Sequence, residues 1–94
     1  MAKLNAFLKE YTVFDLETTG LSPERDEIIE ISGIQVRNGE VTGQFSTLVN
    51  PGRPIPSGAS RINGITDKMV QEAPVLKTAL EDFLAFAGSD SLVG

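Results

Sequence analysis

The sequence predicts an α/β fold built on a single mixed β-sheet, and three observations carry that prediction. Residues 11–16 form a short apolar run with bulky side chains on both parities, Tyr11 and Val13 on one and Phe14 and Leu16 on the other, as in a strand covered on both faces. Asn38-Gly39 stands between two β-rich runs and is the preferred pair for a two-residue type I′ hairpin turn. Residues 74–88 carry a helical stripe, and a further apolar run follows it. A helix between strands is a crossover, so the last strand should lie parallel to a neighbour, here the first strand, beside an antiparallel hairpin.

Taken in order, residues 1–10 are a lead-in without a clear period, and residues 11–94 form the domain. "TTGLSPERDE" (18–27) reads as a loop punctuated by Gly20 and Pro23. "IIEISGIQVRNGEVTGQFSTLVNP" (28–51) is the hairpin, closed by Pro51. Three of the five prolines fall between 51 and 56, so the chain that follows is a loop, with a short helical turn expected near 59–62. Thr66 and Asp67 are placed to cap a second short piece running through Gln71. In "PVLKTALEDFLAFAG" (74–88), Pro74 suits the first helical position and Gly88 the end. Leu76, Ala79, Leu80, Phe83, Leu84 and Ala87 form the expected core stripe, leaving Glu81 and Asp82 on the surface.

Composition narrows the function. Ninety-four residues make one small domain, and 40% hydrophobic with 22% charged residues is ordinary for a soluble globular protein. The absence of cysteine excludes disulfides and thiolate metal sites. No apolar run approaches the ~20 residues of a membrane span, and the N-terminus lacks a cleavage pattern, so the cytoplasm is expected. A net charge of −5 with no basic run argues against a module that grips nucleic acid by charge alone. An enzyme that meets phosphates through bound cations stays open. The chain has no histidine, which removes imidazole as base or ligand.

The chemistry concentrates in "YTVFDLETTG" (11–20). Residues two apart on a strand share a face, so Asp15 and Glu17 project together from the C-terminal end of a central strand, where open α/β sheets bind ligands. An all-oxygen, sulfur-free pair suits Mg²⁺ or Mn²⁺, and D-x-E can supply part of a two-metal site for attack on a phosphodiester. An isolated D-x-E is usually just solvated; the longer string "FDLETTGL" is far more specific. Glu30, in an Ile-rich strand, reads as a rim residue, with an outer role around a metal as the alternative. Asp26 and Glu27 read as solvated loop residues. Arg25, Arg53 and Arg61 are isolated loop cations, available to a phosphate backbone.

"VFDLETTGLSPERDEIIEISGIQV", "FSTLVNPGRPIP" and "INGITDKMV" resemble successive blocks of the DnaQ-like DEDD 3′–5′ exonucleases, a family that includes the proofreading exonucleases of bacterial DNA polymerase III, epsilon and PolC-type, and exonucleases fused to helicases. The resemblance implies the ribonuclease H-like exonuclease fold, truncated after about the fourth strand, and a site holding two Mg²⁺ or Mn²⁺ ions. It makes Asp15 and Glu17 catalytic metal ligands, Asp15 touching both ions and Glu17 one. Thr18 and Ile65 become contacts for the 3′-terminal nucleotide. Where many members carry His-Gly, this chain has Asn63-Gly64. The family continues into a third motif with an Asp ligand, then a helix with a catalytic His or Tyr and a fourth Asp. The chain is therefore read as the N-terminal half of a nuclease that trims DNA 3′ ends, with RNA as the alternative substrate, inactive alone. The partners implied are a single-stranded 3′ end and a replicative polymerase or helicase module. The competing reading is a non-catalytic interaction module that self-associates through an exposed sheet edge.

Overall fold

A computed structural model describes residues 9–20, Ser22 and 24–94. The lead-in expected at 1–10 lies outside the described residues except for Lys9 and Glu10, and Glu10 already opens the first strand. Four strands, β1 (Glu10–Thr18), β2 (Ile28–Arg37), β3 (Glu40–Leu48) and β4 (Ser91–Val93), form one sheet in the order β3-β2-β1-β4. β2 is antiparallel to β1 and β3, and β4 is parallel to β1, so the mixed sheet and the crossover are as expected. Three helices, α1 (Ser57–Asn63), α2 (Asp67–Val70) and α3 (Leu76–Ala87), lie between β3 and β4.

The hairpin turn has φ of 51° at Asn38 and 82° at Gly39, the double positive φ that a type I′ turn demands. The Asn38 N–H also donates to the Lys9 carbonyl at 2.7 Å, tying the turn to the start of β1. Thr66 caps α2, its hydroxyl accepting from the Met69 N–H.

α3 lies across β2 and β3. Ile31, Val49, Ala79 and Phe83 are buried together, with Phe14, Phe45 and Phe86 packed against them. Phe83 sits 5.9 Å from Phe14 and 5.8 Å from Phe45 between ring centroids, in tilted and edge-on arrangements that aromatic quadrupoles favour. Gly33 makes this approach possible, because a Cβ there would lie 2.9 Å from the Phe83 ring. A second cluster, Ile29, Ile55, Ile65 and Val70, pins α1, α2 and the preceding loop to the end of the sheet.

Three expectations are corrected. β1 is covered on one face only: Phe14 meets α3, whereas Val13 and its β2 neighbour Ile34 on the other face are 37% and 42% exposed. Pro74 is not the first helical residue. Its carbonyl accepts from the Asn50 N–H at 2.8 Å and Val75 bridges to Asn50, so these residues stay extended and the helix opens at Leu76. The helix is also rotated from the expected stripe. Leu80 and Leu84 are exposed, while Phe86 turns inward onto Phe45 at 5.5 Å.

At the opposite end of β1 from the acids, Asp90 accepts from the Thr12 hydroxyl at 2.8 Å and pairs with Arg37 at 2.9 Å. Thr12 is fully buried, so its hydroxyl needs this partner. The Arg37 guanidinium, helped by the Thr12 hydroxyl, holds the Asp90 carboxyl below its ordinary value against the opposing effect of burial.

Candidate active site

β1 is a central strand, but β4 flanks only its first half, at Tyr11, Thr12 and Val13, so its C-terminal end is held by β2 alone. Asp15 pairs with Ser32 and Glu17 with Glu30, which places all four on one face. Asp15 is exposed; Glu17 and Glu30 are half-buried. Two carboxylates directly opposite each other repel, an arrangement that a cation relieves. The register shifts immediately after Glu17, and Thr18 pairs with Ile28. The irregularity ends the regular ladder where the loop begins, a common device beside functional sites.

The loop itself is held by its own side chains. The Thr18 hydroxyl donates to the Gly20 carbonyl at 2.6 Å. Asp26 accepts from the Thr19 hydroxyl at 3.0 Å and from the Ser22 N–H at 2.8 Å. Asn63 reaches across from α1, its amide donating to the Thr18 carbonyl at 3.4 Å and its oxygen accepting from the Ile65 N–H at 2.9 Å. Between the loop and α1 opens a cavity of about 350 Å³, lined among others by Leu16, Glu17, Thr18, Gly20, Ile62 and Asn63. A larger concavity of about 470 Å³ on the open sheet face includes Val13, Asp15, Ser32 and Ile34. The two acids therefore stand between two concave surfaces, Asp15 lining one and Glu17 the other.

The expected site residues separate. Asp15, Glu17 and Thr18 come together at this end of β1. Ile65 does not join them: its side chain is 3% exposed and closed into the cluster with Ile29, Ile55 and Val70. Its apolar surface is used by the core, and Ile62, 90% exposed, takes the place beside the cavity. A helical position three after the half-buried Ala59 was the available signal for Ile62, but seven residues of helix set no clear face. Asp26 and Glu27 are also not merely solvated. Asp26 ties the loop, and Glu27 pairs with Arg53 at 3.3 Å, which leaves Arg53 engaged within the fold. Arg53 also donates to the Arg25 carbonyl.

Among the described residues no group of three or more His, Cys, Asp or Glu is gathered to hold a metal. Asp15 and Glu17 supply hard oxygen donors from one strand face, a donor set that suits Mg²⁺ or Mn²⁺.

A mixed sheet whose central strand carries these acids, backed by a helix on one face, has the architecture of the ribonuclease H-like exonucleases. The family model described as "Exonuclease" (RNase_T) matches residues 12–94, and the chain belongs to this exonuclease family, as a DnaQ-like member. It is 45% identical over 84 residues to the PolC-type DNA polymerase III of Caldanaerobacter subterraneus, covering 89% of this chain and 6% of the polymerase. It is 39% identical over 84 residues to the DNA polymerase III subunit epsilon of Aquifex aeolicus, covering 89% of this chain and 42% of that subunit. Among solved structures, exonuclease X in complex with 5′ overhanging duplex DNA superimposes with a TM-score of 0.69 at 33% identity, covering 78% of this chain and 42% of that one. The chain thus spans less than half the length of these relatives.

Proposed function

We propose that this chain supplies the first two carboxylates of a two-metal 3′–5′ exonuclease of the DNA polymerase III proofreading type. The observation that carries the reading is the placement of Asp15 and Glu17 on one face at the end of a central strand, inside a chain of the exonuclease family. Asp15 and Glu17 are the metal ligands, and Thr18 with its loop faces the 3′-terminal nucleotide from the cavity beside Glu17. Asp15 and Glu17 would hold divalent ions there, whose chemistry would be to activate a water and to neutralise charge on the scissile phosphate. The chain's own residues orient: β1 fixes the spacing of the acids, and the Thr18–Asn63 contact holds the cavity wall. The substrate is the 3′ end of single-stranded DNA, with RNA as the alternative, and the setting is a replicative polymerase in the cytoplasm. Among the described residues no helix is long and apolar enough to cross a membrane. Two carboxylates are half of the family's set and the chain holds no histidine, so by itself it is expected to be inert.

Calorimetric titration with Mn²⁺ tests this. The chain should bind weakly, and Asp15→Ala should abolish the heat. A chain that binds no Mn²⁺, or an Asp15→Ala variant that binds as well as the parent, would sink the reading.

A further inference from the structure

Asp26 reads as a solvated residue in the sequence, yet its carboxylate ties together the loop beside Glu17. One oxygen accepts from the Thr19 hydroxyl at 3.0 Å and the other from the Ser22 N–H at 2.8 Å. The Thr19 oxygen in turn accepts from the Glu27 N–H at 2.9 Å, and the Thr19 N–H donates to the Glu27 carbonyl at 2.9 Å. Thr19 is 8% exposed and forms the buried end of the network, while Asp26 is half-buried and lines a separate concavity with Gly20 and Glu27. The carboxylate also lies flush against Gly20, where a Cβ would come within 2.6 Å of its oxygen. Thr18 and Gly20, the residues flanking Thr19, line the 350 Å³ cavity with Glu17.

We propose that Asp26 is a positioning residue of this site: from behind the loop, its carboxylate fixes the Thr18–Gly20 backbone as the wall against which a terminal nucleotide rests. The inference depends on the nucleotide reading of the cavity given above. Asp26 touches no reacting atom in this scheme. It acts through Thr19, and a carboxylate accepting two hydrogen bonds is a stiff anchor because charge-assisted bonds are the stronger ones. Such preorganisation makes the wall ready before a ligand arrives.

The test follows dTMP and Mn²⁺ binding to the chain and to Asp26→Ala, Thr19→Val and Thr19→Ser. Calorimetry gives the affinities, and amide hydrogen exchange of Ser22 and Glu27 reports on the loop. Removing the carboxylate should weaken dTMP binding by about tenfold, the order of one lost charge-assisted bond, with Mn²⁺ binding unchanged. Thr19→Val should share that loss, and Thr19→Ser, which keeps the hydroxyl, should restore affinity. Exchange at Ser22 and Glu27 should accelerate in Asp26→Ala while the β2–β3 hairpin keeps its protection, which separates a loosened loop from an unfolded chain. Wild-type dTMP affinity in Asp26→Ala would overturn the inference. If the parent chain binds no dTMP, the nucleotide reading fails, and exchange decides the anchor by itself: faster exchange upholds it, and unchanged exchange overturns it. Should Asp26→Ala fail to fold, the Thr19→Val and Thr19→Ser pair decides the inference by the same readouts.

Discussion

Asp90 shows how one side chain couples acidity to folding. Its carboxyl is held below the ordinary 3.8 mainly by the hydrogen bond from Arg37, with the Thr12 hydroxyl assisting. A carboxylate whose folded value is depressed stabilises the fold at all pH above its unfolded value, and that contribution disappears as pH falls through the folded one. The chain should therefore lose stability as acid is added below about pH 4. Asp90→Asn should be the less stable protein at neutral pH, and the gap should close in strong acid. Thermal unfolding of both proteins across that range checks it; a gap that persists unchanged into strong acid would refute the assignment. At the acid end of β1, Glu17 and Glu30 face each other across the ladder. Directly opposed like charges are destabilising. Glu30→Gln should thus raise the melting temperature of the metal-free chain slightly, and a lowered one would speak against repulsion at this pair.

Among the elements, the contact between α3 and the sheet is the most demanding. Gly33 admits the Phe83 ring where a Cβ would stand 2.9 Å away. Gly33→Ala should therefore destabilise by about 1–3 kcal/mol, the range for overpacking a filled core, as read from urea unfolding. A neutral result would mean the helix shifts without cost. This contact also shows what could be read in advance. The hairpin was legible because Asn38-Gly39 is a local signal whose backbone conformation depends on those two residues alone. The parallel placement of β4 followed from a helix between strands. Asp15 and Glu17 were legible because strand alternation fixes their face. The rotation of α3 was not, since Leu80 and Leu84 are as apolar as Phe86, and the sheet surface of Phe45, Gly33 and Gly43, on other elements, receives Phe86. The start of α3 was displaced for a similar reason: Asn50, more than twenty positions earlier, claims the Pro74 carbonyl. Asp26 was missed because its partners are backbone and hydroxyl groups, which leave no charge pattern in a sequence.

For the molecule as a whole, one covered sheet face sets its behaviour in solution. β3 and β4 are the two edges, and the face away from α3 exposes Val13 and Ile34. Edge strands and apolar surface of this kind favour pairing with a second chain. The chain should self-associate as its concentration rises, and light scattering that reports a constant monomer mass at high concentration would count against this. Thr12 and Asp90 have a further consequence. They are 78 positions apart, and the bond between them joins the strand carrying the two acids to the turn that launches β4. In synthesis, Asp90 leaves the ribosome 78 positions after Thr12. The β2–β3 hairpin can close within about 1–10 μs of emerging, but β1 gains its second neighbour only when nearly all the described chain is out. Until then the strand that carries Asp15 and Glu17 is clamped on one side only.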